Sequence, residues 1–367
     1  MKKGKKTLPW QRFKTNEFDG RVFSIAQIKT KLSVCLRNYK TKNDINNEEK
    51  MKAININTDK SLSIIEVDKP IIKENEVLIK TSFAALNRAD LLQREGSYPS
   101  PDGWPDRMGL EVSGVIEQVG EQVTDINIGD RVCALLGGGG YSEYVAVPKE
   151  LVVVVSGMSL DVACCIPETY CTAYLNLFLE GNLKKEETVL VHAGASGVGI
   201  AVIQLAKLFG AKVIATVRSN SKAKAIEDFG ADLIVNSKET DIERLFEQMP
   251  IDLVIDCVGG LSAGKCFTKM NRGGRWIVIA TLGGDITEIN LKEVYKKGVR
   301  LIGSTLRSRT NEVKGRILNM LKTEVFPKII NGEITPVIYK IFDFCDVELA
   351  HREMQNNKNV GKILLRI

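Results

Sequence analysis

At 367 residues, with 44% hydrophobic and 26% charged side chains, the chain has the make-up of a globular protein long enough for two domains. Its formal charge of +6 is unevenly placed: residues 1 to 50 hold 13 of the 51 Lys and Arg but only 5 of the 45 Asp and Glu, which leaves the rest near neutral. A near-neutral body argues against nucleic acid as the main partner, since phosphate backbones need a basic surface on the folded domain, and no apolar run approaches the roughly 18 to 20 residues that span a membrane.

Residues 1 to 50 are rich in Lys and Asn and lack strong periodicity. Two readings compete: a basic, amphipathic transit segment, or a disordered lead or upstream start. Glu17, Asp19 and the shortage of serine favour the second, with Met51 opening the body of the protein. A cytoplasmic location is expected, and a mitochondrial one if the segment is a transit peptide. The eight cysteines are scattered with no C-x-x-C pair, as reduced intracellular thiols are, and the adjacent Cys164 and Cys165 read as apolar filling. His192 and His351 are the only histidines, so no metal site is expected.

From Met51 onward, Ser63-Ile-Ile-Glu-Val67 and Glu76-Val-Leu-Ile-Lys80 alternate apolar and polar residues between turn residues such as Pro70, Asn75 and Gly129-Asp130. That pattern predicts short strands in a compact barrel. Ala84 to Pro101 predicts a short helix running into a proline-rich loop. Within it Asn87 and Asp90 either orient a substrate or cap the helix. Tyr98 either stacks on or hydrogen-bonds an acceptor, or simply packs its loop.

Thr188-Val-Leu-Val-His192-Ala-Gly194-Ala-Ser196-Gly197-Val198-Gly199 runs into Ile200 to Gly210, which predicts strand, tight turn and helix. Gly194, Gly197 and Gly199 would clear the way for a phosphate to reach the helix N-terminus, and the Ser196 hydroxyl can donate to a phosphate oxygen. The second strand, Lys212 to Val217, ends without the acidic residue that binds a ribose hydroxyl. Arg218, Ser219 and Lys222 stand there instead, and cations with hydroxyls favour NADPH over NADH. Four further strands follow at Asp232 to Asn236, Ile251 to Asp256, Gly274 to Ala280 and Val299 to Gly303, predicting a doubly wound parallel sheet. Cys257 ends the fourth strand, where ligands collect.

Asn87-Arg-Ala-Asp90, Gly109-Leu-Glu111-Val-Ser-Gly114, Gly129-Asp130-Arg-Val, Gly139-Gly-Tyr-Ser-Glu-Tyr144 and the glycine turn resemble the medium-chain dehydrogenase/reductase superfamily. Within it they are most similar to the zinc-independent quinone oxidoreductases of the p53-inducible type. The resemblance, from Met51 to Ile367, implies an α/β architecture with a GroES-like β-barrel catalytic domain (residues 51–171 and 309–367) and a Rossmann NADPH-binding domain (172–308) between its two parts. It also implies a homodimer. It sets Thr172 near the nicotinamide, Leu282 and Gly283 and then Leu306 along the nicotinamide side, and Asn359 and Lys362 as a closing contact from the C-terminal tail. Leu110 stands where the alcohol-dehydrogenase branch has a zinc-binding histidine, and Asn236-Ser237 where related quinone reductases have a tyrosine against the 2′-phosphate.

With no metal and no evident acid/base pair, the cofactor is expected to carry the redox step while the protein aligns donor and acceptor. The expected function is an NADPH-dependent quinone oxidoreductase acting on small, ortho-type quinones. Reduction of activated C=C bonds, as in alkenal or enoyl reductases, is the alternative among enzymes. A non-catalytic NADPH-binding regulator or RNA-associated protein is the alternative outside them.

Overall fold

The computed structural model describes residues 49–367, so the expectations for the first 48 residues lie outside it. Strands β1 (Lys50–Ile56) and β2 (Leu62–Asp68) form an antiparallel hairpin whose alternation buries Met51 and Ala53 and leaves Lys50 and Lys52 exposed. A seven-stranded sheet follows: β3 (Glu76–Ala85), β4 (Glu111–Val119), β5 (Arg131–Leu135), β6 (Tyr144–Pro148) and β7 (Val152–Val154) from the first part of the chain. It is completed by two strands from the far end, β14 (Ile338–Asp343) and β15 (Lys362–Arg366). The order is β14-β15-β3-β4-β5-β7 with β6 on β3, and every pair but β14 with β15 is antiparallel.

Between these two parts lies a six-stranded, wholly parallel sheet: β8 (Thr188–Val191), β9 (Lys212–Val217), β10 (Leu233–Asn236), β11 (Leu253–Asp256), β12 (Arg275–Val278) and β13 (Arg300–Gly303). Its order, β10-β9-β8-β11-β12-β13, reverses between β8 and β11. Ligands bind at such a switch point, outside the strand C-termini. Each of the sequence-predicted strands forms here, most of them trimmed by a residue or two. The central strands are apolar over most of their length because helices cover both faces, and all four residues of β8 are buried. On one face Trp276 packs with Phe246 and Phe267 and donates its indole N–H to Asp256 at 2.9 Å.

Five helices position the site: α1 (Arg88–Arg94), α2 (Pro167–Tyr174), α3 (Gly197–Phe209), α4 (Asn220–Lys224) and α5 (Asn311–Met320). Helix α2 starts on a proline, whose fixed φ and missing N–H suit a first turn. Helix α3 starts on Ser196, whose Oγ accepts from Gly199 N at 3.0 Å, and stops at Gly210 with φ of 90°. The C-terminal tail returns to this turn: Gly361 N donates to the Ala195 carbonyl at 2.9 Å, and Gly361 makes a parallel bridge to Ser196. This contact ties the antiparallel-sheet part to the parallel-sheet part at the head of α3.

Candidate active site

A cleft of about 950 Å³ opens over the C-terminal ends of β8, β9 and β11 and is walled on the other side by α1, α2 and the tail. Of the sequence-predicted residues, it brings together Asn87, Tyr98, Thr172, Ser196, Gly197, Val198 and Gly199. Arg218, Lys222, Cys257, Leu282, Gly283, Leu306, Asn359 and Lys362 join them. Asp90, Gly194 and Ser219 are not on its lining.

Each of these three has a structural role. The Asp90 carboxylate is buried and accepts from the backbone N–H groups of Asn87 at 2.7 Å and Gly109 at 3.0 Å, and from the Tyr141 hydroxyl at 3.0 Å. It is the helix-capping alternative that the structure realises. A Cβ on Gly194 would meet the Ala215 side chain at 2.8 Å, so this glycine lets the turn press on β9. Ser219 caps α4, accepting from Lys222 N at 3.3 Å.

The other two glycines also answer to protein neighbours rather than to open space. A Cβ on Gly199 would lie 2.4 Å from the Ala193 carbonyl oxygen, and one on Gly197 would lie 2.7 Å from the Lys362 side chain. Small residues therefore compress the turn, and the cleft floor at the α3 N-terminus is bare backbone. Ser196 Oγ accepts from Gly199, which leaves its own proton free to donate.

At one end of the cleft three cations crowd together. Arg88 reaches across from α1, donating to the Met354 carbonyl at 3.0 Å and to Asn357 Oδ1 at 2.8 Å. Lys222 donates to the Asn359 carbonyl at 3.0 Å. Burial, then the Arg218 charge, pulls both Arg88 and Lys222 below their ordinary pKa. Three positive groups held against mutual repulsion are a site short of an anion. Arg88 was given no role in the sequence reading, because nothing local says that α1 faces the end of β9.

The middle of the cleft holds a second shortfall. Among the described residues Asn176 Oδ1 and Ser304 Oγ are buried without hydrogen-bond partners, and both residues line the cleft. Orphaned buried polar atoms are costly, and a ligand with amide donors and acceptors would satisfy them. Bare turn, cation cluster and orphaned polar atoms together fit a nicotinamide dinucleotide.

The other end is built on Glu111, buried in β4. Its Oε1 pairs with Lys362 Nζ at 2.6 Å and accepts from Asn87 Nδ2 at 3.0 Å, while Oε2 accepts from Glu168 N at 2.8 Å. Lys362 spends its other protons on the Leu86 carbonyl at 2.6 Å and Asn87 Oδ1 at 2.7 Å. The tail lysine is thus a buried structural cation on the cleft wall. Tyr98 has one ring face under the Arg307 guanidinium, 4.6 Å from its centroid, and Arg307 also donates to the Tyr98 carbonyl at 3.0 Å and to the Gly137 carbonyl at 2.6 Å. Burial, and then Glu168, pushes the Tyr98 phenol above its usual pKa, so it is a neutral hydroxyl facing the cleft.

Two family models match: the alcohol dehydrogenase GroES-like domain over residues 73–157 and the zinc-binding dehydrogenase model over 197–323. The human quinone oxidoreductase is 31% identical, over 82% of this chain and 92% of its own length. The chain belongs to the medium-chain dehydrogenase/reductase superfamily. It is an oxidoreductase with the nicotinamide-cofactor site of that superfamily. A zebrafish (Danio rerio) synaptic vesicle membrane protein VAT-1 homolog is 32% identical over 82% of this chain, which spans 66% of that relative's length. Among solved structures, Escherichia coli quinone oxidoreductase complexed with NADPH superposes with a TM-score of 0.75 at 26% identity, covering 87% of this chain and 99% of the other. The CurK enoyl reductase superposes at 0.77 and 25% identity, with coverage of 87% and 99%. The α/β fold with GroES-like and Rossmann parts is that of this superfamily.

One matching model carries zinc in its description, but the residues here do not fit the metal. Both Glu111 oxygens are committed and the Lys362 ammonium lies against them, so a cation there would meet a cation. Leu110 has no ligating atom. Among the described residues no group of three His, Cys, Asp or Glu is placed to hold a metal.

Proposed function

We propose that this protein is an NADPH-dependent quinone oxidoreductase that reduces small quinones without a metal. The cluster of Arg88, Arg218 and Lys222 at the end of β9 carries the choice of cofactor, since a 2′-phosphate supplies the anion that these cations lack. Ser196, Gly197, Val198 and Gly199 receive the pyrophosphate at the head of α3. Thr172, Cys257, Leu282, Gly283, Leu306 and Asn359 enclose the rest of the cofactor.

When bound, the reduced nicotinamide supplies a hydride. The chain's own part is to hold a flat acceptor beside it. Tyr98 donates its neutral hydroxyl to an acceptor oxygen, and Asn87, fixed by Glu111 and Lys362, sets the wall against which the acceptor rests. The negative charge that arrives spreads over the quinone's ring, and a proton then completes the hydroquinone.

Reduction of an activated C=C bond is the second reading, favoured by the similarity to the CurK enoyl reductase and by an acidic side chain, Glu168, on the cleft wall. Exposed Leu301 on β13, with the exposed Leu282, Leu291 and Tyr295, supports a homodimer across this sheet edge. The described cysteines are free thiols and all but Cys257 and Cys345 are buried, which supports a reducing compartment such as the cytoplasm.

NADPH consumption measured side by side with a small ortho-quinone and a matched α,β-unsaturated aldehyde tests the assignment. Faster turnover of the quinone is expected; consumption confined to the aldehyde overturns it.

A further inference from the structure

Four acids line the cleft, and three have fixed employment. Asp256 accepts from Val258 N, Gly259 N and the Trp276 indole. Asp241 caps the helix that follows it, accepting from Glu243 N and Arg244 N. Glu243 pairs with Lys269 at 2.8 Å. The carboxyl of Glu168 has neither an ion pair nor a backbone N–H among the described residues, and accepts only from Thr172 Oγ1 at 3.3 Å. Glu168 and Thr172 are four residues apart on α2 and so share one face of it. Tyr98 is on the same part of the lining. The backbone of Glu168 is pinned by Glu111 Oε2, so the side chain starts from a fixed point.

We propose that Glu168 is the acid that gives a proton to the reduced acceptor, which extends the quinone-reductase reading above and rests on it. Hydride transfer oxidises the nicotinamide and reduces the acceptor, leaving a negative charge on the acceptor's oxygen. The Glu168 O–H bond breaks, its proton forms the new O–H bond on that oxygen, and the carboxylate left behind regains a proton from water through the cleft mouth. With a quinone the product is the hydroquinone. With an α,β-unsaturated aldehyde it is the enol, which becomes the saturated aldehyde. The same residue therefore serves both acceptor classes.

The surroundings make this acid available near neutrality. Glu168 is pushed up to about 7, first by desolvation and then by the Glu111 charge, with Asp90 adding to the rise. Lys362 and Lys314 act against it, and are outweighed. Lys314 Nζ, from α5, donates to the Arg307 carbonyl at 2.9 Å, and Lys362 faces Glu111. Arg307, Tyr98 and Cys171 also feel the Glu168 charge. No neighbour competes for the role: Lys362 has its protons engaged, the Tyr98 phenol is a weaker acid than usual, and burial raises the Cys171 thiol far out of range.

The test compares wild type, Glu168→Gln and Glu168→Asp with both acceptors, with kcat/KM measured as a function of pH. NADPH affinity and Tm are measured alongside, and the infrared band of a protonated carboxyl is followed through the same range. Wild-type kcat/KM should fall as pH rises through about 7, together with the carboxyl band. Glu168→Gln should lose about 10²- to 10⁴-fold, the usual worth of a positioned acid, with a flat pH profile, no titrating band and unchanged NADPH affinity. Glu168→Asp should restore part of the rate and the pH dependence. A Glu168→Gln enzyme with wild-type rate and profile, or a wild-type carboxyl ionised throughout, overturns the proton donor alone. A wild type that binds NADPH but reduces neither acceptor overturns the functional reading and this proposal with it.

Discussion

Lys222 does its work through charge that is only half solvated. It lies with Arg218 and Arg88 at the end of β9, where burial and then the Arg218 charge lower the pKa of both Lys222 and Arg88, so an anion there would relieve the repulsion. Reversal to Lys222→Glu removes a charge-assisted contact and adds repulsion to a phosphate. About 1.5 to 3 kcal/mol per such contact corresponds to a loss of roughly 10- to 100-fold in NADPH affinity, with NADH almost unaffected. Titration of both cofactors against wild type and variant measures this; equal wild-type affinities contradict the reading of the strand end. The missing acid after Val217 was legible in the sequence. The contribution of Arg88 was not, because it arrives from another element. Glu168 left a faint trace, a carboxylate just after a helix-starting proline and four residues before Thr172. Its pKa is raised first by burial and then by the charge of Glu111, 57 residues away, and no local pattern reports either.

At the scale of the element, the glycine turn is the clearest case of sequence dictating geometry for a reason that differs from the expected one. The glycines were expected to leave space for a phosphate. They also let the turn close on itself, since a Cβ on Gly199 runs into the Ala193 carbonyl and the Gly194 backbone. Gly199→Ala should therefore destabilise the fold by about 1 to 3 kcal/mol, the cost of overpacking, despite alanine's better helix propensity. A calorimetric Tm several degrees below wild type, with weakened NADPH binding, is the expected result. Gly303→Ala, where nothing lies within 4 Å of the added carbon, is the control and should leave Tm unchanged. A similar lesson comes from α1. The spacing Asn87 to Asp90 was open to both a capping and a substrate role: both residues belong to the helix cap, Asn87 as its N-cap and Asp90 accepting the Asn87 N–H, and only Asn87 also lines the cleft.

For the whole molecule, the parallel sheet ends on β13, whose outer edge is unpaired among the described residues and whose Leu301 is half exposed. Two copies related by a two-fold axis would cover both edges at once. Leu301→Glu places like charges opposite one another across such an interface. Sedimentation should show a dimer for wild type and a monomer for the variant, and a wild type that is monomeric at micromolar concentration removes the proposal. Among the described residues no helix is long and apolar enough to cross a membrane.

Sequence alone determined what depends on neighbours along the chain. The parallel strands showed because each is a short apolar run, the turn at Gly197 because small residues cluster between strand and helix, and the expectation of a cofactor preference arose because cations replace an acid after Val217. Tertiary structure alone decided which polar groups are used up and which are left over. Lys362, expected to close over the cofactor, is neutralised by Glu111, and the Glu168 carboxyl is left, among the described residues, with only the Thr172 hydroxyl as a partner in a desolvated wall. A group's charge and availability depend on burial and on charges a few ångströms away. Those distances are set when β15 and α2 meet around β4, not by any spacing in the sequence.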